Sequence, residues 1–255
     1  MIRLRDGLAA LGFTIYVLAL LAISVPPAWA VLLLLPRGRP SDMWSKQWAR
    51  WLIGASGCAL TVSGGDYVHE DQPVVFVSNH TSYLDSIVLM AALPWPYLFV
   101  VAHAYAAWPI VGTAIRKAEY ITVDRRSAMT RAGSFTLIEA ALRNGSSVLI
   151  YPEGRRGRGP RLEPFRAGAF RAAAATGRPV VPISVRGTRL IMGRGVRLLR
   201  RGSIDVTIHQ PIAPTSSDRR EIVRLRDAVR SEIEQRLGEL RTPIREAHAP
   251  NPRHM

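Results

Sequence analysis

Cysteine, lysine and acidic residues are scarce in this sequence, which has one cysteine and 19 Asp and Glu against 34 Lys and Arg. A single cysteine, Cys58, excludes an intramolecular disulfide framework and a cysteine-rich metal site. Only two of the cationic residues are lysines, so arginine carries nearly all of the +15 formal charge. Arginine suits phosphate ligands or an anionic membrane surface, although a coding bias toward arginine would give the same excess.

Hydrophobic residues make up 48% of the 255 residues. This content excludes a disordered chain, and the length favours one large domain or two small ones.

No charged side chain lies within residues 7–36. A helix that crosses a bilayer needs about 20 apolar residues, so this run predicts an N-terminal membrane anchor over residues 1–36. Pro26 and Pro27 remove backbone donors and clash with the preceding turn. We therefore expect either a transmembrane helix that ends near Val25 or a helical hairpin that turns at the prolines. The A-x-A pattern at 28–30 also matches a secretory cleavage site.

Residues 37–57 have the pattern of an amphipathic helix. Trp44, Trp48 and Trp51 recur at helical spacing, with Lys46 beside them. This composition predicts a helix at the bilayer interface, where tryptophan is favoured, and core tryptophans in an ordinary helix are the alternative.

The rest of the chain alternates between short β-rich runs and helical stretches, which predicts an α/β domain over residues 58–241. We expect a mostly parallel or mixed sheet flanked by helices. The predicted strands are 58–62, 73–79, 97–102, 119–124, 147–152, 178–185 and 203–209. A tail over 242–255, rich in proline, is predicted to be disordered.

The segment SNHTSYLD carries a histidine and an aspartate directly after a predicted strand. His80 and Asp85 are five residues apart, so they meet only if His80 lies before the helix on which Asp85 sits. A carboxylate bonded to one ring nitrogen leaves the other nitrogen available as a base. The pair therefore predicts a general base for a substrate hydroxyl, and a structural surface pair is the alternative.

The segment YPEGRRGRGP joins a buried strand to a glycine-rich, arginine-rich turn. Ligands bind at the carboxyl ends of strands in open α/β sheets, and arginine on such a turn suits phosphate. The candidate binding residues are Glu153, Gly154, Arg155 and Arg156, together with Arg125 at the end of another strand. A solvated basic loop is the alternative.

In this order, over roughly residues 40–215, these blocks resemble the motifs of the glycerolipid acyltransferase superfamily. His80 and Asp85 match its H-x-x-x-x-D motif, and YITVDR matches a second block, whose arginine falls on Arg125. YPEGRR matches its F-P-E-G-T-R motif, and VVPISV matches a fourth block. Two departures concern the expected acceptor site: Arg155 replaces the usual threonine, and His103 with Tyr105 replace a Lys-x-Glu-Leu pattern.

The resemblance implies a membrane-bound enzyme that transfers a fatty acyl group from acyl-CoA or an acyl carrier protein to a lysophospholipid. The expected acceptor is 1-acylglycerol-3-phosphate, giving phosphatidic acid, with a lyso-lipid such as lyso-ornithine lipid as the alternative. His80 and Asp85 would be catalytic and the arginines would hold the acceptor. We expect no cofactor, metal or nucleic acid, and a catalytic domain on the cytoplasmic face of a bacterial inner membrane. A non-catalytic lipid-binding protein is a further alternative.

Overall fold

The computed structural model describes residues 2–124, 128–157, 159 and 161–239. The predicted tail and the candidate binding residue Arg125 lie outside these residues.

Seven strands form one mixed sheet in the order β1-β7-β6-β2-β5-β3-β4. Every neighbouring pair is parallel except β6 with β7, which confirms the predicted mixed sheet. All seven predicted strands are present, with ends that differ by a few residues. Their bounds are β1 Ala59–Gly64, β2 Val75–Ser78, β3 Leu98–Ala102, β4 Ile121–Val123, β5 Val148–Ile150, β6 Val180–Arg186 and β7 Ser203–Ile208.

Helices cover both faces of the sheet, so two hydrophobic clusters form. Alternate β2 side chains divide between the clusters, with Phe76 on the α2–α3 face and Val75 and Val77 on the opposite face with α6 and α8. The helices are α1 Ile2–Leu34, α2 Arg39–Ser56, α3 Leu84–Ala92, α4 Pro109–Lys117, α5 Ala128–Arg143, α6 Gly168–Thr176, α7 Thr188–Met192 and α8 Arg219–Glu239.

The N-terminal apolar run forms one helix, so the expected break at Pro26 and Pro27 is wrong. Contacts with α2 hold α1 on both sides of the prolines. The Tyr16 hydroxyl donates to the Ala55 carbonyl at 2.6 Å, and Trp44 Nε1 donates to the Ala28 carbonyl at 3.0 Å. Because these contacts run antiparallel, α1 lies along α2. Its residues 5–34 are long and apolar enough to cross a membrane.

The α2 helix buries the charged side chains of Asp42 and Lys46 and leaves part of its tryptophan surface accessible. Lys46, expected at the interface, pairs with Asp42 at 2.9 Å and donates to the Trp95 carbonyl at 2.7 Å. The Tyr120 hydroxyl donates to the same carboxylate at 2.8 Å. Trp51 is half exposed. The buried ion pair therefore fixes α2 to the sheet, and the interfacial placement of Lys46 is wrong.

Candidate active site

The sheet brings the predicted site residues to one edge. The strands β6, β2 and β5 are adjacent and parallel, so their carboxyl ends lie side by side. His80 follows β2, Tyr151 follows β5, and Thr188 follows β6. Asn79 fixes this edge, because its side-chain amide donates to the Val185 carbonyl and accepts from the Val185 N–H, both at 2.8 Å.

His80 and Asp85 form the predicted pair, with 2.9 Å between Nδ1 and Oδ2. Asp85 is fully buried in the first turn of α3. Its Oδ2 also accepts from the N–H groups of Thr81 at 2.7 Å and Ser82 at 2.8 Å, and its Oδ1 accepts from the Thr188 hydroxyl. These donors and the helix N-terminus stabilise the ionised carboxylate. An ionised Asp85 accepts the Nδ1 proton, which leaves the Nε2 lone pair of His80 unprotonated.

The ring of Tyr151 stacks on the imidazole of His80, with 4.0 Å between centroids and 11° between planes. The Tyr151 hydroxyl lies 3.3 Å from the Ser86 hydroxyl on α3. Burial, and secondarily the charge of Asp85, raises the pKa of Tyr151 well above its usual value, so the phenol stays neutral. Tyr151 therefore fixes the imidazole plane without adding a charge.

Glu153 binds the backbone of the loop that carries His80. Its Oε1 accepts from the His80 N–H at 2.7 Å, and its Oε2 accepts from the Glu163 N–H at 3.0 Å. The residue is only 3% exposed. Burial raises the pKa of this carboxyl, while the two backbone hydrogen bonds oppose the rise. Both oxygens are thus engaged by protein, and this geometry suits a residue that positions His80 better than one that contacts an acceptor.

The other predicted binding residues lie on the same turn. Gly154 has φ of 71°, a left-handed conformation that glycine adopts without strain. Arg155 is exposed and donates to Glu163 Oε2 at 3.0 Å. The Arg156 guanidinium lies 3.5 Å above the Tyr83 ring centroid. Arg156 therefore lies over Tyr83, which directly precedes α3.

Tyr105, one of the two residues that depart from the family pattern, extends the aromatic contacts of Tyr83. His103 and Tyr105 lie on a 3-10 helix, His103–Ala107, directly after β3. Tyr105 contacts Tyr83 edge to face at 6.3 Å and Trp108 at 5.3 Å. Arg156 thus lies at one end of a row of aromatic contacts formed by Tyr83, Tyr105 and Trp108.

Sequence reasoning missed Thr188 and the role of Tyr151. Thr188 is more than a hundred residues from Asp85, and only the pairing of β6 with β2 brings them together. Tyr151 is visible in the sequence as part of YPEGRR, but its stacking partner, His80, follows a different strand.

Comparison with known proteins gives a consistent result. The family model described as Acyltransferase matches residues 59–186. A chloroplastic 1-acyl-sn-glycerol-3-phosphate acyltransferase from Brassica napus is 36% identical over 149 residues, which are 58% of this chain and only 43% of that protein. A lyso-ornithine lipid O-acyltransferase from Pseudomonas aeruginosa is 30% identical over 196 residues, covering 71% of this chain and 74% of that protein.

Among solved structures, the 1-acyl-sn-glycerophosphate acyltransferase PlsC from Thermotoga maritima has the same fold. The two superpose with a TM-score of 0.76 over 95% of this chain and 99% of the other, at 20% sequence identity.

Proposed function

This chain belongs to the glycerolipid acyltransferase superfamily, and on that premise we propose that it acylates the free hydroxyl of a lysophospholipid with a thioester donor. The observation that carries the proposal is the His80–Asp85 pair, with Nδ1 on a buried carboxylate and Nε2 free of hydrogen bonds to the described residues. A protein that only binds lipid has no use for such a base.

In the proposed reaction, His80 Nε2 accepts the proton of the acceptor hydroxyl as its oxygen attacks the thioester carbonyl. Asp85 stabilises the resulting imidazolium and keeps its orientation. When the tetrahedral intermediate collapses, the C–S bond breaks and the imidazolium returns the proton to the thiolate. The oxyanion needs donors, and the backbone N–H groups of Arg155 and Arg156 are the candidates on the turn beside His80.

The proposed acceptor is 1-acylglycerol-3-phosphate, and the product is phosphatidic acid. Arg156, fixed over the Tyr83 ring, supplies a guanidinium for the acceptor phosphate, and Arg125 is the second proposed cation. The donor is acyl-CoA or an acyl carrier protein. Lyso-ornithine lipid is the second candidate acceptor, supported by the similarity to the Pseudomonas aeruginosa enzyme and by the altered His103–Tyr105 segment.

We also propose that α1 lies along one face of a membrane rather than crossing it. The α/β domain holds α1 at two well-separated points, since the Leu199 N–H donates to Thr14 Oγ1 at 2.8 Å in the first half of the helix and Lys117 Nζ donates to the Leu35 carbonyl just past its end. These contacts are separated by about 30 Å of helix, close to the thickness of the hydrocarbon core. A perpendicular helix would pull parts of the domain to opposite sides of the bilayer.

The activity is tested by incubating the full-length protein with labelled acyl-CoA or acyl carrier protein and a panel of lyso-lipids. Fastest labelling of 1-acylglycerol-3-phosphate supports the first acceptor. Fastest labelling of lyso-ornithine lipid supports the second acceptor. Absence of labelling with every pair of donor and acceptor would contradict the proposed acyltransferase activity.

The proposed cytoplasmic face is tested with sealed membrane vesicles of opposite orientation, because acyl-CoA does not cross a bilayer. We expect activity in inside-out vesicles. Activity confined to right-side-out vesicles would overturn the orientation.

A further inference from the structure

An arginine segment, residues 186–201, carries a large charge that the proposed reaction does not use. It holds six arginines, and no acidic residue lies within residues 164–204. None of the six guanidinium groups forms an ion pair with the part of the chain that the structure describes. All six residues are exposed. By contrast, four of the α8 arginines pair with acidic neighbours on the same helix.

The fold places this segment beside α1 and the loop that carries His80. The Leu199 N–H bonds to Thr14 of α1, and Arg201 Nε donates to the Gly57 carbonyl at the end of α2 at 2.6 Å. The Ser82 hydroxyl, three residues before Asp85, donates to the Met192 carbonyl at 2.6 Å. The segment therefore joins the exposed apolar face of α1 to the loop that carries His80.

Exposed apolar side chains alternate with the arginines. Leu190 is 69% exposed and Val196 is 39% exposed. A surface of arginine and aliphatic side chains fits the headgroup region of an anionic bilayer, where the cations bind phosphate and the aliphatic groups insert. Near Thr14, α1 exposes Leu11 and Ile15, so the apolar surface continues across the contact.

We infer that the arginine segment binds anionic phospholipid headgroups and forms a membrane contact separate from α1. This inference rests on the proposed membrane association of α1. An acidic carrier protein is the other partner with suitable charge, but continuity with the apolar face of α1 favours the lipid surface. Docking of this segment would hold the loop that carries His80 against the bilayer that contains the acceptor.

The inference is tested with a probe on the full-length protein reconstituted in phosphatidylcholine vesicles. An environment-sensitive fluorophore is attached to Leu190→Cys in a Cys58→Ala background, and the fraction of phosphatidylglycerol is then raised. We expect the emission to shift to the blue as the anionic fraction rises. In 1 M NaCl, where the Debye length falls to about 3 Å, the shift should be lost. The matched control is a probe at Val223→Cys, an exposed site on α8 at the opposite face of the sheet, whose emission should not respond.

The role of the arginines is tested with two double variants of equal charge change. Each arginine near an anionic surface contributes roughly fivefold to binding, so Arg194→Gln with Arg197→Gln should weaken docking about 30-fold. The control is Arg219→Gln with Arg220→Gln, two exposed residues at the start of α8. This control should leave the phosphatidylglycerol titration unchanged.

Three outcomes would overturn part of this account. A Leu190 probe that ignores phosphatidylglycerol, in protein that stays with the vesicles, would refute the inference and leave the role of α1 standing. A probe that responds to acidic carrier protein and not to phosphatidylglycerol would also refute it, in favour of a protein partner. Protein that leaves phosphatidylcholine vesicles but binds anionic ones would contradict the role of α1 and support the arginine segment.

Discussion

The sequence predicts that Glu153 binds the acceptor, whereas its contacts in the structure indicate that it positions His80. Replacement of Glu153 by glutamine distinguishes these two roles. In the structure, the two carboxylate oxygens accept the N–H groups of His80 and Glu163. A glutamine has one oxygen, so its amide NH2 must face one of these donors. We expect the loop at His80 to shift while the buried side chain stays away from the acceptor.

The size of the effect follows from the bond that is lost. A hydrogen bond to a charged group contributes about 1.5–3 kcal/mol. If the whole loss appears as misplacement of His80 in the transition state, kcat falls about 10- to 150-fold. The acceptor KM should change less than twofold, because Glu153 makes no contact with the acceptor in this account.

The assay is steady-state acyl transfer with the acceptor concentration varied at saturating acyl-CoA. Glu163→Gln is the matched control, because it alters a carboxylate on the same loop but retains the backbone N–H that bonds to Glu153. This control should keep a kcat near that of the wild type. A Glu153→Gln variant with raised acceptor KM and unchanged kcat would refute this reasoning and indicate that Glu153 contacts the acceptor.

Three further variants test neighbouring parts of the account. Thr188→Val removes the donor to Asp85 Oδ1 at nearly constant volume, so kcat should fall about tenfold or more, measured against thermal unfolding as a control for folding. Tyr151→Leu should lower kcat by removing the ring that stacks on His80, while Tyr151→Phe, which keeps the ring, should retain most of the activity. Burial lowers the pKa of His209 below its usual value. As the pH falls, His209 is therefore protonated in the unfolded state before it is protonated in the folded state, so stability should fall as the pH drops below about 6.5. His209→Gln should reduce that fall, measured as the difference in Tm between pH 7.5 and pH 5.5.

The strands and the His80–Asp85 pair were predictable because their signals are local. Each strand is a short apolar run between turn residues, and the sheet order then brings the carboxyl ends of β2 and β5 together. The separation of His80 and Asp85 indicated a loop residue facing a helix residue, which the structure confirms.

The N-terminal helices were harder to predict because tertiary contacts override local preference. Pro26 and Pro27 predict a break, yet α1 continues through them while it packs against α2 on both sides. Lys46 has the sequence pattern of an interfacial cation, but the fold buries it against Asp42 and the Trp95 carbonyl. The role of Glu153 was also hidden, because its partners are backbone groups that sequence patterns do not mark.

The central claim, that His80 is the general base of an acyl transfer, is tested most directly by His80→Ala. The measurement is the rate of product formation from labelled acyl-CoA and the best acceptor, with folding verified by thermal unfolding. Loss of a general base lowers rates about 10²- to 10⁴-fold, and we expect a decrease on this scale in a folded protein. A folded His80→Ala protein with turnover near that of the wild type would contradict the mechanism.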